Sequence, residues 1–234
     1  MFDFTFSTRQ VAIAAGGLYL AVALFGIVAF GVAPQLTIVP GDAAATAVKI
    51  SENQGMFRLG MVAESLVVLT EVAITSLLYV FFKPVNATLS LMAAVARLGM
   101  TVVQAINIIF KFAVLALVGG VGYLAAFEPG QLQALTQTAL NLHAYGMDIW
   151  QLLFGMHLIL LGYLALVSGF VPKWLGWSLM VGSLGYLGTG YSHMLGIDNG
   201  AVSIAIGGFL AIASVGEIAF GVWLLVWGGK DVQK

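Results

Sequence analysis

Glu71, Arg97, His157 and Glu217 each stand inside a long apolar run of the sequence. A charge near the centre of a bilayer costs at least ~2.5 kcal/mol on insertion scales, so ionisable groups in such runs need partners and are candidates for ligand, ion or proton handling. Counted along their helices at 1.5 Å per residue, all four fall near the midplane of a membrane. Arg97 with one or both glutamates would form a hydrogen-bonded ion pair, because either charge buried alone is far worse than the two together. Such a pair can fix a helix bundle, or it can line a polar cavity that holds a small ligand or passes a proton.

Spacing extends this cluster into a stripe. Arg97, Gln104 and Lys111 recur at seven-residue intervals with Asn107 beside them, and Glu64 and Glu71 are likewise seven apart. Residues at that spacing share one helix face, and lipid would penalise a polar face, so both stripes should point inward. The candidate ligand- or ion-binding residues are therefore Glu71, Arg97, Gln104, Lys111, His157 and Glu217.

Toward the other end of the helices lie Glu64, Lys111, His143, Asp148, His193 and Asp198. Carboxylates and histidines at one level can hold a hard or borderline metal such as zinc, and a metal-dependent membrane hydrolase would need His143, Asp148 and His193 to converge. No H-E-x-x-H, H-x-x-x-H or D-x-x-x-D spacing supports that set. His143 and His157, fourteen apart, fall on roughly one face, as in helices that hold two stacked haems, but the chain has only three histidines. No Ser-His-Asp arrangement, phosphate-binding loop or dinucleotide fingerprint is present. Cysteine is absent, which excludes disulfides, thiolate chemistry and cysteine-ligated metals. No cofactor is clearly encoded.

The elements that must position these side chains follow from composition. Of 234 residues, 61% are hydrophobic and 8% charged, with a mean hydropathy of +1.03. A soluble domain would carry roughly a quarter charged residues, so the solvent here is lipid. A net charge of −1 offers no basic patch for nucleic acid. The expectation is an all-α integral membrane helical bundle, one domain over residues 1–234, with about six transmembrane helices near 11–33, 58–82, 87–118, 145–168, 173–195 and 201–228. The first run is too long for a signal-peptide core and reads as a retained span. The most polar loop covers 34–57, and Pro129 to Tyr145 should form a helix running into the fourth span.

Lys and Arg counts orient the bundle. Arg9, Lys83, Lys173, Lys230 and Lys234 fall on the side of both termini, against Lys49 and Arg58 on the other. That asymmetry puts both termini in the cytoplasm. Trp174, Trp177, Trp223 and Trp227 read as an interfacial belt at that side, with Tyr145 and Trp150 at the opposite one.

Several stretches carry a family likeness. They are Pro40-Gly-Asp-Ala-Ala-Ala-Thr-Ala, Leu78-Tyr-Val-Phe-Phe-Lys-Pro-Val-Asn-Ala-Thr-Leu, Phe154-Gly-Met-His-Leu through Ser168-Gly-Phe-Val-Pro-Lys-Trp-Leu-Gly, and Glu217 followed by Trp223-Leu-Leu-Val-Trp-Gly-Gly. In order and over nearly the whole chain, they resemble the bacterial family called domain of unknown function 4386. The resemblance implies a compact multi-pass protein of the bacterial inner membrane and supplies no catalytic residues. Three functions stay open: a non-enzymatic accessory subunit of a larger membrane complex, a small-ligand or ion/proton transporter using Arg97, Glu71 and Glu217, and a metal-dependent hydrolase using His143, Asp148 and His193. The partners expected are the lipid bilayer and other membrane subunits.

Overall fold

The structure is a computed structural model and describes residues 7–230, so Lys234 of the orientation count lies outside the described residues. All its regular elements are helical. In chain order they are α1 (Thr8–Gly26), a π-helical stretch (Ile27–Val32), α2 (Ala33–Thr37), α3 (Ala43–Glu52), α4 (Gln54–Phe82), α5 (Ala87–Val118), a 3₁₀ turn (Gly122–Ala126), α6 (Pro129–Val167), α7 (Lys173–Leu195) and α8 (Gly200–Val226).

Five stretches are long and apolar enough to cross a membrane: Thr8–Thr37, α4, α5, α6 and α8. The chain is thus a multi-pass membrane protein. The helix expected at 173–195 forms with those bounds, and its 23 residues have the length to cross. Its average apolarity is lower because small residues crowd its inner face: Gly176, Gly182, Ser183, Gly185, Gly190 and Ser192 are all buried.

Local chemistry explains the breaks. Pro34 has no N–H to give the carbonyl one turn back, and the helix widens into π turns just before it, with Ala33 N bonding Val28 O. The loop expected at 34–57 contains α3, which starts where the Asp42 side chain accepts from Ala45 N at 2.9 Å. Asn199 caps α8 in the same way through Ala201 N at 2.9 Å. At the other end of α8, the Arg9 guanidinium donates to the carbonyls of Leu224, Leu225, Val226 and Gly228. A cation there satisfies orphan acceptors and complements the helix dipole.

The chain forms two compact units. Among the described residues, 7–22, 70–101 and 148–230 make the first. Its core is built around Phe81, Phe82, Phe170, Phe220 and Trp223, with Leu158, Leu161, Leu175 and Leu179 beside them. Phe170 and Trp223 stack at 6.5 Å, and Phe220 and Trp223 at 6.1 Å. Trp223 is therefore a core residue and not part of the expected belt, whereas Trp174, Trp177 and Trp227 are exposed as a belt requires. Residues 23–69 and 102–147 make the second unit, with a smaller core of Ile50, Phe57, Met61, Val114, Leu115 and Ala139. Lipid tails are as apolar as leucine, so these cores gain through close packing and not through escape from water.

Candidate functional site

In the first unit one residue gathers most of the buried polar contacts. Arg97, on α5, is 1% exposed. Its Nε donates to Glu71 Oε2 at 2.6 Å. Its Nη1 donates to the Tyr19 hydroxyl at 3.0 Å and reaches His157 Nε2 at 2.9 Å. The rings of Tyr19 and Phe154 lie 4.9 and 5.7 Å from the guanidinium carbon, positions from which a π face attracts a cation. Four helices, α1, α4, α5 and α6, thus meet on one side chain.

The tautomer of His157 follows from its neighbours. Nδ1 lies 2.9 Å from the Ala93 carbonyl, which can only accept. Nδ1 therefore bears the hydrogen and Nε2 accepts from Arg97. The imidazole is neutral, with both nitrogens engaged, and it stacks on Phe154 at 6.0 Å. Below it is a cavity of about 10 Å³ edged by Thr75, Tyr79 and Ser90, about the room one water needs.

Of the two glutamates expected to pair singly or together with Arg97, Glu71 alone does so, and Glu217 has another partner. Its Oε1 accepts from the Tyr186 hydroxyl at 3.0 Å, and it belongs to none of the ion pairs among the described residues. Tyr186 packs edge-on against Phe154 at 4.8 Å and against Trp150 at 6.1 Å. The Trp150 Nε1 is buried with no partner.

The second unit holds its own ion cluster. Lys111 Nζ donates to Glu64 Oε2 at 2.5 Å, and His143 Nε2 bonds Glu64 Oε1 at 3.1 Å. Asn107 Nδ2 donates to the His143 carbonyl at 2.6 Å, and the Phe30 ring lies 5.8 Å from the ammonium. Gln104 is fully buried, and both its amide atoms lack a partner. The polar stripe of α5 does face inward, since Arg97, Gln104, Asn107 and Lys111 are all buried.

The residues of the hydrolase reading have these partners within their own units. His193 Nδ1 pairs with Asp148 Oδ1 at 2.8 Å in the first unit, whereas the carboxylate bonded to His143 is Glu64 in the second. Among the described residues no group of three or more His, Asp or Glu could hold a metal ion.

Sequence reasoning missed Tyr19 and Tyr186. Each is a hydroxyl in an apolar helix, and a buried hydroxyl must find a bond. That is the signal that could have flagged them.

A bundle of membrane-crossing helices around buried, hydrogen-bonded ion pairs is a polytopic helical membrane protein. Residues 14–228 match the family described as Domain of unknown function (DUF4386), and the chain belongs to that family. A relative from Archaeoglobus fulgidus, described as "Uncharacterized protein", is 37% identical over 84 residues, 36% of this chain and 47% of the relative. The chain thus matches about half the length of that curated relative. No solved structure matches.

Proposed function

We propose that this chain is a non-enzymatic subunit of a larger membrane complex, in the bacterial inner membrane, with the Arg97 network as its internal brace. The engagement of Arg97 by three protein side chains carries the reading. A guanidinium held by Glu71, Tyr19 and His157 ties four helices together, and Arg97 is buried. A transport path would need solvent to reach these groups, and a brace needs them dry.

Six spans complete the proposed topology, with α7 crossing as the fifth. Its small residues face protein, while Leu184 and Tyr191 remain exposed for lipid. Arg9 at the start of α1 grips the end of α8, which supports both termini on one side, the cytoplasmic side by the Lys and Arg count.

Purification in mild detergent after membrane cross-linking tests the proposal. A partner membrane protein should co-purify in fixed stoichiometry, dependent on cross-linking across exposed apolar faces. A clean monomer from gently solubilised, cross-linked membranes counts against it.

A second reading, ion or proton handling at the midplane, is favoured by Glu217, whose one bonded partner on α7 is a neutral hydroxyl. Purified protein in liposomes should then dissipate an imposed proton gradient, and Glu217→Gln should remove that flux.

A further inference from the structure

We propose that Glu217 is a proton-binding carboxyl group, taking up and releasing a proton within the membrane. This deepens the second reading above and rests on it only for what the proton is used for.

Placement comes first. Glu217 lies nine residues, about 14 Å, from the end of α8 at Val226. Its helix turns Ile212, Val215 and Ile218 outward toward lipid. No interfacial snorkel is within reach, because a glutamate side chain extends only a few bonds from the backbone.

Compensation comes second. Among the described residues, the titratable and charged groups in the interior of this unit besides Glu217 are Tyr186 on α7, Tyr19 on α1, Glu71 on α4, Arg97 on α5 and His157 on α6, with Asp148 on α6 paired to His193. Arg97 is the one interior cation among the described residues of this unit, and its ion pair is with Glu71. Tyr19 and His157 engage its Nη1. Arg9 is engaged with carbonyls at the far end of α8. One cation therefore faces two carboxyls, and geometry assigns it to Glu71. The bond from Tyr186 to Glu217 can be made to an ionised or a neutral carboxyl, so it holds the group in place through both states. The carboxyl is left to balance its own charge, and a proton does that with no further ligands.

A sodium ion would instead call for several oxygen ligands. Around Glu217 the structure supplies one hydroxyl. The proton is thus the better occupant, and sodium becomes an outcome of the test.

A membrane-permeant carbodiimide reads this directly, since it reacts with carboxyls that bear a proton in apolar surroundings. The acid proton passes to a carbodiimide nitrogen and the carboxylate oxygen bonds to the central carbon. Migration of the acyl group to nitrogen then leaves a stable N-acylurea. Full-length protein in liposomes should acquire one adduct, located by peptide mass spectrometry at Glu217 and absent in Glu217→Gln. Glu71 and Glu64, each held by a cation, should remain unlabelled. Infrared difference spectra between acidic and alkaline buffer should show a protonated-carboxyl carbonyl band that disappears in Glu217→Gln.

Wild-type protein lacking both the adduct and the band overturns the proposal. So does protection of Glu217 by sodium at constant pH, which would make it a cation site, or equal labelling of Glu71. Labelling without proton flux in liposomes would retain the proton site and reject transport.

Discussion

Arg97→Ala lowers the stability of the folded protein by about 3–5 kcal/mol, the usual cost of removing one partner from a buried ion pair. The loss comes less from the missing bonds than from what is left behind. Glu71, 2% exposed on α4, would keep a carboxylate with no cation, and Tyr19 and His157 would each lose their bond to the guanidinium. Detergent-to-SDS titration, followed by helical circular dichroism, measures the effect. Removing both charges, as Arg97→Met with Glu71→Gln, should be clearly milder than Arg97→Ala alone, because no buried charge remains uncompensated. Arg97→Lys should not restore stability. A lysine has one compact ammonium at the end of a flexible stem and cannot reach Glu71, Tyr19 and His157 with the fixed fork of a guanidinium. If Arg97→Ala unfolds at the wild-type midpoint, the network is not a brace and the proposed subunit role loses its main support.

The depth of these groups along their helices was legible in the sequence, and their partners were not. Apolar run length and turn residues set α5 at 87–118 and α7 at 173–195, the bounds observed, because lipid allows no exposed backbone and rewards continuous helix. Seven-residue spacing correctly turned Arg97, Gln104 and Lys111 inward. But a common depth is not a contact. Arg97 and Glu217 were placed at one level, yet Arg97 turns to Glu71 while Glu217 meets Tyr186. That choice depends on how each helix is rotated about its axis, which side-chain packing decides and no single helix encodes. Trp223 shows the same limit. Its position near a helix end suggests the interface, yet Phe170 and Phe220 draw its ring into the core. The turns of α3 were hidden for another reason: ten residues capped by Asp42 are too short and too polar to stand out beside helices of about thirty.

Gly182→Ala separates α7 from α8, although it adds one methyl group. A Cβ built at Gly182 would stand 2.5 Å from the Cα of Ala213 and 2.6 Å from its backbone nitrogen. Backbone cannot step aside as a side chain can, so the two helices must part along a seam that small residues keep close. Overpacking of this kind costs about 1–3 kcal/mol, and the SDS midpoint should fall accordingly. Shortening the neighbour offers no relief: Ala213→Gly in the Gly182→Ala background should not recover stability, because the clash is with main-chain atoms. Gly155 supplies the contrast. There an added Cβ meets Leu187 Cγ at 2.7 Å, so Gly155→Ala should be largely rescued by Leu187→Ala. Gly207, with nothing within 4 Å of its would-be Cβ, should accept alanine without loss. Rescue of Gly182→Ala by Ala213→Gly would show that side chains, and not backbones, set the distance between these helices. The glycines of α7 would then be incidental to its packing, and its low apolarity would lose the explanation that makes it a sixth span.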